Sequence, residues 1–398
     1  MLRYVFVFIM GLSLLFWLIY ILRTMKTYKM LPALKKEEPD KKSPFVSVII
    51  PTRNESKRVT PCIESLKSQN YNNFEVVIVD DSSDNTVEVI KNIVGSDKRF
   101  RIIKEEKLDG GWVGKPHAMQ QGSREAKGEW LLLIDADTSH ESHLITSAVK
   151  HALAKKLDML SILSHLVCKS FWEKIIQPIP TGLLIFITPL GKVNDPKSKE
   201  SFALGPFILI KHSVFDKIGG YEKIRGKIAD DVEMAKLLKT SGFKIGLARA
   251  YDMMNLRMYE KFKDIWEGWS KNIFMGLVQK REIQKKGRQM LILLVGLFVV
   301  FLMMVFPFIG FSLSLLLFLI TKTLLWQNIL LIAFAVWILS LLIQSFVHKK
   351  YSIGNPAFSP LYFIGGIVTM GIFLNSAVKT ISGSGVKWKG RTYKNKTE

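Results

Sequence analysis

The sequence predicts a doubly wound α/β domain with hydrophobic helices on either side of it in the chain. Three observations predict this. Short runs rich in Val, Ile and Leu alternate with helical stretches of ten to fifteen residues between about residues 45 and 163. This pattern specifies a mostly parallel sheet covered on both faces. Acids and small polar residues follow directly at the ends of three of those runs. Long uncharged stretches lie before and after the alternating region, in a chain whose mean hydropathy is +0.19.

The strands are read first. FVSVIIP (45–51), FEVVIVD (74–80), RFRII (99–103), LLLI (131–134) and a run near Met159–Leu163 are the expected strands. Helices are expected over 58–69, 85–93, 115–126 and 141–153. In open α/β sheets ligands bind at the carboxyl ends of the strands. The polar motifs fall there: PTRNE (51–55), DDSSDNT (80–86) and DADTS (135–139). Asp is a common turn former and Thr52 or Asn54 could cap a helix, so each motif alone is weak. Three strand ends delivering such groups to one sheet edge point to a ligand site. Asp135 and Asp137, two residues apart, repel each other unless a cation or a donor lies between them. Oxygen ligands of this kind suit Mg²⁺ or Mn²⁺ rather than zinc.

Two further segments fit the same edge. DGGWVGKPHAMQQG (109–122) is a glycine-rich loop entering a helix, with Lys115 at the helix start. Its amides and Lys115 suit an anionic nucleotide. KIADDVEMAKLLKTSG (227–242) opens a helix with Asp230 and Asp231, where N-capping competes with a role as general base.

The 398 residues carry 22 more Lys and Arg than Asp and Glu. Much of that charge flanks the uncharged stretches, and no aromatic-basic RNA motif is present, so no nucleic-acid partner is expected. The two cysteines, Cys62 and Cys168, are too few for a disulfide framework and read as plain thiols. Tyr4–Leu22 is long enough to span a bilayer as a retained anchor. Gln289–Thr321, Thr323–Val347 and Tyr351–Val378 follow; the first, at 33 residues, could be split by Pro307 and Gly310. The expectation is one N-terminal and three to four C-terminal transmembrane helices. Arg23, Lys26, Lys29, Lys35 and Lys36 follow the anchor, and Lys280, Arg281, Lys285, Lys286 and Arg288 precede the second block. The positive-inside rule then places the region between them on the cytoplasmic side of the plasma membrane.

In order, PTRNE, VDDSSDNT, GGWVGK, DADTS, LGPF, GGY and the acid pair resemble the family-two glycosyltransferases, which have the nucleotide-sugar-binding GT-A fold. GGWVGK (110–115), RMYEKFKDIWEGWSKN (257–272) and VKWKGRTY (386–393) resemble the membrane-bound bacterial branch that glycosylates carotenoid acids (diaponeurosporenoate), hopanoids and other polyisoprenoid lipids. The resemblance implies an inverting hexosyltransferase that uses UDP-glucose or a similar donor and a membrane lipid acceptor. It implies that Pro51, Thr52, Asn54, Glu55, Asp80, Asp81, Lys115 and Asp135 hold the nucleotide-sugar. Asp135 and Asp137 form the D-x-D motif, with Asp137 the direct metal ligand. Asp231 is the implied base beside Asp230, which stands where Glu is usual. Gly205, Gly219, Gly220, Tyr221, Trp269 and Lys271 are implied on the acceptor side.

The Q/R-x-x-R-W motif of processive synthases is incomplete. Glu267-Gly268-Trp269-Ser270-Lys271 keeps the Trp without the Arg, which favours a single transfer over polymer synthesis. A membrane transporter with a nucleotide-sensing domain is the alternative from another class. The scarcity of ionisable residues in the hydrophobic stretches argues against it. The expected organisation is an anchor (1–23), a linker (24–44), the catalytic domain (45–256), an interfacial amphipathic helix with a basic linker (257–288), a transmembrane region (289–380) and a basic tail (381–398). FWEKIIQPIPTGLLIFITPL (171–190) is expected at the membrane interface, because Pro178, Pro180 and Pro189 interrupt it. Since a carboxylate acceptor is already ionised near neutral pH, a catalytic Asp231 favours a hydroxyl acceptor.

Overall fold

A computed structural model describes residues 2–393 apart from 109, 228, 281–285, 383–385 and 389–390. Asp109 of the glycine loop, Arg281 and Lys285 of the basic run, Lys389 and Gly390 of the VKWKGRTY motif, and the tail 394–398 lie outside the described residues. The chain divides into two compact units. One comprises 29–166 and 189–258; the other comprises 1–28, 167–188 and 259–398. The stretch 167–188 therefore groups with the flanking helices, although it interrupts the α/β region in sequence.

Helix α1 (Leu2–Met30) opens the chain, and the α/β unit follows. Strand β1 (Val46–Thr52), helix α2 (Thr60–Lys67), β2 (Phe74–Asp80), α3 (Thr86–Val94), β3 (Phe100–Lys104), α4 (Gly114–Glu125) and β4 (Trp130–Ile134) alternate as the hydrophobic pattern requires. After β4 come β5 (Thr138–His140), α5 (Leu144–Ala154), β6 (Met159–Leu163) and β7 (His165–Leu166). Farther on lie α6 (Phe171–Ile176), α7 (Pro178–Ile187), β8 (Phe207–Lys211), α8 (His212–Lys217), α9 (Asp230–Thr240), β9 (Ile245–Arg249) and β10 (Met254–Leu256).

Seven strands form one sheet in the order β3-β2-β1-β4-β8-β6-β9. All neighbouring pairs are parallel except β4–β8 and β6–β8, because β8 runs antiparallel to both neighbours. The order reverses direction at β1, so the crevice beyond β1 and β4 is the topological switch point. Every residue of β4 is buried, as an apolar run covered on both faces requires. A second sheet, β5-β10-β7, follows the DADTS segment. Its strands are only two or three residues long, too short to leave a period in the sequence.

Two glycines fix how closely the layers approach. A Cβ at Gly122 of α4 would lie 2.5 Å from Ile49 Cγ2 on β1. At Gly128, before β4, it would lie 2.4 Å from the Ser47 backbone nitrogen, which cannot yield as a side chain can.

The other unit is helical. Helix α10 (Phe262–Lys280) is followed by α11 (Lys286–Val300), α12 (Phe306–Thr321), α13 (Leu324–Tyr351), α14 (Tyr362–Ile381) and a short hairpin of β11 (Val386–Trp388) and β12 (Arg391–Tyr393). Among the described residues, four helical segments are long and apolar enough to cross a membrane: Arg3–Met30, Gly287–Thr321, Leu324–Tyr351 and Pro356–Ile381. Three of them are C-terminal. The 33-residue uncharged stretch is therefore one long helical segment rather than two spans. Pro307 is accommodated by a π-helical turn over Phe301–Val305 that contains Met303, the residue whose carbonyl Pro307 cannot engage.

The amphipathic stripe of α10 packs on α14. Trp266 meets Gly371, Asn375 Nδ2 donates to Ser270 Oγ at 2.9 Å, and the rings of Phe274 and Phe373 lie 5.6 Å apart. Prolines break 171–190 into two short helices. The first has a reciprocal cap in which Ser170 Oγ accepts from the Glu173 N–H and Glu173 Oε2 accepts from the Ser170 N–H.

Gly128→Ala is expected to destabilise the α/β unit by about 1–3 kcal/mol through overpacking. Gly110→Ala, where a Cβ meets nothing within 4 Å, serves as the neutral control. Thermal melts of the two full-length variants in detergent check the contrast.

Candidate active site

The loops after β1 and β2 are clasped to each other. Thr52 Oγ1 donates to Asp80 Oδ1 at 2.6 Å, and the Asp81 N–H donates to the Thr52 carbonyl at 3.0 Å. Asn54 adopts a left-handed conformation (φ +54°), which Asn tolerates because its side chain bonds locally. Its Oδ1 accepts from the Ser83 N–H at 2.9 Å, and its own N–H donates to Ser82 Oγ at 2.9 Å. Asp80 is buried and accepts from Ser82 as well, so it organises the loop from below. Asp81 is half exposed and forms an ion pair with Arg53. Glu55 is held by Arg58 at 2.8 Å, and Pro51 lies opposite Val79, one pair before the β1–β2 ladder ends at Thr52 and Asp80. Sequence reading passed over Arg53, whose partner lies across two strand ends and leaves no local signal.

The DADTS turn is built from beneath. Thr138 Oγ1 donates to the Asp135 carbonyl at 2.8 Å, and the Asp137 carbonyl accepts from the Arg257 N–H at 3.2 Å. Cys62 on α2 lies under the turn, with its Sγ 3.8 Å from both the Asp135 carbonyl and Thr138 Oγ1. Burial, reinforced by the charges of Asp137, Asp135 and Glu55, pushes the Cys62 thiol up to about 12 despite the Thr138 hydrogen bond. The plain-thiol reading of Cys62 therefore matches its setting, with a supporting position under the turn added. His140 is buried too, and burial lowers it to about 4, so it is a neutral hydrogen-bonding partner of Thr138 and Ser65.

Lys115 and the acids meet at the centre. Lys115 Nζ lies 2.5 Å from Asp135 Oδ1. Asp231 Oδ2 accepts from the Gly205 N–H at 2.8 Å, and its Oδ1 accepts from the Val232 N–H at 2.8 Å. A Cβ at Gly205 would lie 2.9 Å from Lys115 Nζ and 3.3 Å from Asp231 Oδ2, so both charged groups face the same backbone position. Helix α9 starts from Ala229 with no side-chain cap, and both acids occupy its first turn. Their negative charge there is favoured by the helix dipole.

The side-chain stem of Lys115 is partly open, at 31% exposure, while its ammonium end lies deep. Burial opposes that charge, but Asp135, Asp230 and Asp231 outweigh it and hold the ammonium well above the usual lysine range. Burial also raises the Asp231 carboxyl above the usual Asp value. Lys115 and the two N–H bonds oppose that rise, and Asp135 adds to it. Tyr221 is fully enclosed, and burial plus the charges of Asp230, Asp231 and Asp135 hold its phenol far above the ordinary range. It therefore stays protonated at any working pH.

Gly219 and Gly220 have positive φ (+79° and +51°) and turn the chain so that the Tyr221 N–H donates to Gln120 Oε1 at 2.8 Å. Gln120 belongs to the same helix as Lys115, and no feature of the sequence marks it out. The structure thus brings Lys115, Asp135, Gly205 and Asp231 together, and the charges of all three acids act on Tyr221. Trp269 and half-buried Lys271 belong to the helical unit, where Trp269 packs against Tyr259 at 6.4 Å.

Among the described residues no three His, Cys, Asp or Glu side chains cluster as a ready metal cage. Asp135 and Asp137 supply two carboxylates from one turn, and oxygen donors are the kind that hard divalent cations prefer. The donor chemistry fits Mg²⁺ or Mn²⁺.

The fold is that of a GT-A-like α/β domain. The profile of glycosyl transferase family 2 matches residues 47–219. The chain is 24% identical over 234 residues to the 4,4'-diaponeurosporenoate glycosyltransferase of Staphylococcus haemolyticus (strain JCSC1435), covering 58% of this chain and 61% of that protein. Its identity to the Staphylococcus aureus (strain USA300) protein of the same name is 23%, with the same coverage. The match thus spans about three-fifths of the length of these curated relatives. The fold is also similar to a mannosyltransferase, PcManGT, from Pyrobaculum calidifontis, solved in complex with GDP-Man and Mn²⁺. That comparison has TM-score 0.55 and 17% identity, covering 95% of this chain and 98% of the other.

Lys115→Met leaves Asp135, Asp230 and Asp231 without their shared counter-charge. The raised Asp231 carboxyl then rises further above its unfolded value, so stability is lost as pH climbs through that higher range. The variant is expected to be about 1–3 kcal/mol less stable than wild type at pH 7.5. The gap should narrow at pH 5, which melts at the two pH values would show.

Proposed function

We propose that this protein transfers a hexosyl group from a nucleotide-sugar, UDP-glucose or a close analogue, to a hydroxyl on a membrane lipid, with inversion at the anomeric carbon. The observation that carries the reading is the convergence of Asp135, Lys115 and Asp231 beside Gly205. A glycosyl transfer needs positive charge for the leaving diphosphate and a base for the attacking hydroxyl. Both kinds of group lie here.

In this reading Thr52, Asn54, Glu55 and Asp81, with Pro51 and Asp80 beneath them, hold the nucleoside. Asp137 and Asp135 hold the divalent cation, which when bound neutralises diphosphate charge. Lys115 then leaves Asp135 for a phosphate oxygen. The Gly205 and Val232 N–H groups keep the Asp231 carboxylate aimed while it takes the acceptor proton. Its raised affinity for a proton makes it a better base than a solvated Asp. Tyr221 donates from its buried hydroxyl, and Gly219 and Gly220 shape the acceptor side. Trp269 and Lys271 are assigned to acceptor contacts as well.

The basic residues flanking the α/β region support a cytoplasmic orientation. The names of the staphylococcal relatives support a second reading, in which a carotenoid acid is the acceptor and an ester the product. Against it, an anionic acceptor would enter the field of three acids balanced by one Lys115. The single-transfer reading stands ahead of polymer synthesis because the Arg of the processive motif is missing.

The test uses full-length protein in detergent with Mn²⁺, labelled nucleotide-sugars, and long-chain alcohols and carotenoid acids as acceptors. Label is expected in the alcohol product, and Asp231→Asn should lower transfer by about 10²–10⁴-fold. Transfer to the acid alone, undiminished in Asp231→Asn, would replace the first reading by the second. The base must be ionised, so the acid limb of kcat/KM should fall above the ordinary Asp value of about 3.9. Lys115→Met should move that limb to still higher pH.

A further inference from the structure

Pro356–Ile381 is long and apolar enough to cross a membrane, yet its contacts within the helical unit bring both its ends to one side. The other three apolar segments supply the depth scale. Helix α1 carries the uncharged run 4–22, whose midpoint is Ser13. Ser13 Oγ donates to the Leu302 carbonyl of the π-helical turn at 2.9 Å, so that turn marks mid-depth. From there α12 runs toward the start of α1. Gly310 meets Met10, and the Phe6 ring packs on Phe306 at 5.9 Å and on Trp326, near the head of α13, at 6.3 Å. Helix α13 returns to the level where α1 ends. Tyr351 Oη donates to the Thr24 carbonyl at 2.7 Å, and its ring meets Tyr28 at 5.5 Å. By the same continuity, α11 begins on the side where α1 ends, at Lys286 and Arg288.

On this scale the last segment turns back. After Tyr351 the chain reverses over residues 352–355, and Ser359 Oγ lies 2.6 Å from Ser345 Oγ, within two turns of the end of α13. The Tyr362 ring packs on His348 at 5.1 Å. Helix α14 then reaches mid-depth, where Phe363 stacks on Phe308 at 3.9 Å and a Cβ at Gly366 would lie 2.6 Å from Met304 Cβ. Its later contacts retreat along α11. Phe373 meets Gly296, and Phe373, Ala377 and Ile381 share one apolar cluster with Leu293 and Ile292. A crossing helix would instead continue past Phe308 to the level of Phe6. A reversal at membrane depth must satisfy its backbone within the protein. Here Asn355 Oδ1 accepts from the Ala357 N–H at 3.0 Å, and Ser359 Oγ donates to the Pro356 carbonyl at 2.7 Å. Charge gives the same answer independently. Beyond α14 the sequence carries Lys387, Lys389, Arg391, Lys394 and Lys396 against one acid, Glu398. A fourth crossing would put that tail on the side whose only basic side chains are Arg3 and Lys322, against the usual asymmetry.

We infer that Pro356–Ile381 is re-entrant. It enters the membrane from the side on which α1 ends, turns near the bilayer centre and leaves on the same side. The chain then crosses three times, through α1, α11–α12 and α13, and its basic tail emerges where α1 does. One leaflet holds α14 and the first part of α11. Their exposed side chains, Leu291, Leu294 and Phe298 on α11 and Ile367, Leu374 and Val378 on α14, meet the acyl chains of that leaflet. The inference stands whether or not the α/β unit transfers sugar.

The experiment uses full-length protein in bacterial spheroplasts, with one epitope tag before Met1 and a different one after Glu398. External protease is added before and after detergent. Three crossings put the tags on opposite sides, so one is expected to be digested at once and the other only after detergent. Four crossings put them on one side, and digestion of both or protection of both before detergent would overturn the inference. A second readout uses Lys41→Cys, Thr321→Cys and Glu398→Cys, each made in Cys168→Ser so that buried Cys62 is the only native thiol left. With an impermeant maleimide, Glu398→Cys is expected to label in step with Lys41→Cys, which follows α1. Labelling in step with Thr321→Cys, at the far end of α12, would count against the re-entrant course as decisively as the tags.

Discussion

One ammonium group balances three carboxylates at the sheet edge, and the site's geometry follows from that inequality. Lys115 touches Asp135 and shares the Gly205 position with Asp231, while Asp230 adds its charge from the same helical turn. With one positive charge for three negative ones, the centre attracts a further cation. In the function proposed above, a nucleotide diphosphate arriving with its metal would deliver that charge together with the anionic oxygens that suit Lys115. The surrounding fold fixes the distances. Gly122 brings α4, and with it Lys115, hard against the sheet, and the backbone amides of Gly205 and Val232 fix Asp231.

The α/β unit was legible because its strands are apolar runs, and helices such as α3 and α9 end at or beside a glycine with positive φ, Gly95 and Gly242. β1 to β4 and β6 fall where the Val, Ile and Leu runs predict them, and the loops after β1, β2 and β4 carry the polar motifs. β8 and β9 were not anticipated, although FILI and IGLA are apolar. A run of four such residues cannot be told from buried helix by period alone. The antiparallel course of β8 depends on its pairing with β4 and β6, which no local residue encodes. The minor sheet of β5, β10 and β7 is shorter than any detectable repeat.

At the site, the residues that carry charge were readable and the residues that aim them were not. Asp135, Asp231 and Lys115 stand out by type and position. Gly205 acts through its N–H, Gln120 through one side-chain oxygen, and Arg53 through a partner 28 positions away. Backbone donors and long-range partners have no signature in composition. In the helical unit, the 33-residue apolar stretch suggested a break at Pro307. The π-helical turn absorbs the missing N–H, so one segment continues where a sequence pattern suggested two.

The thiol beneath the DADTS turn bears on the chemistry of damage. Cys62 is fully buried, and its pKa of about 12 leaves only about one part in 10⁵ as thiolate near neutral pH. Oxidants and alkylating agents reach the thiol only when α2 or the turn parts from its neighbours, and that opening also removes the burial that raised its pKa. The rate at which Cys62 reacts therefore reads out how often the acidic turn opens, and a ligand bound across Asp135 and Asp137 would slow that clock.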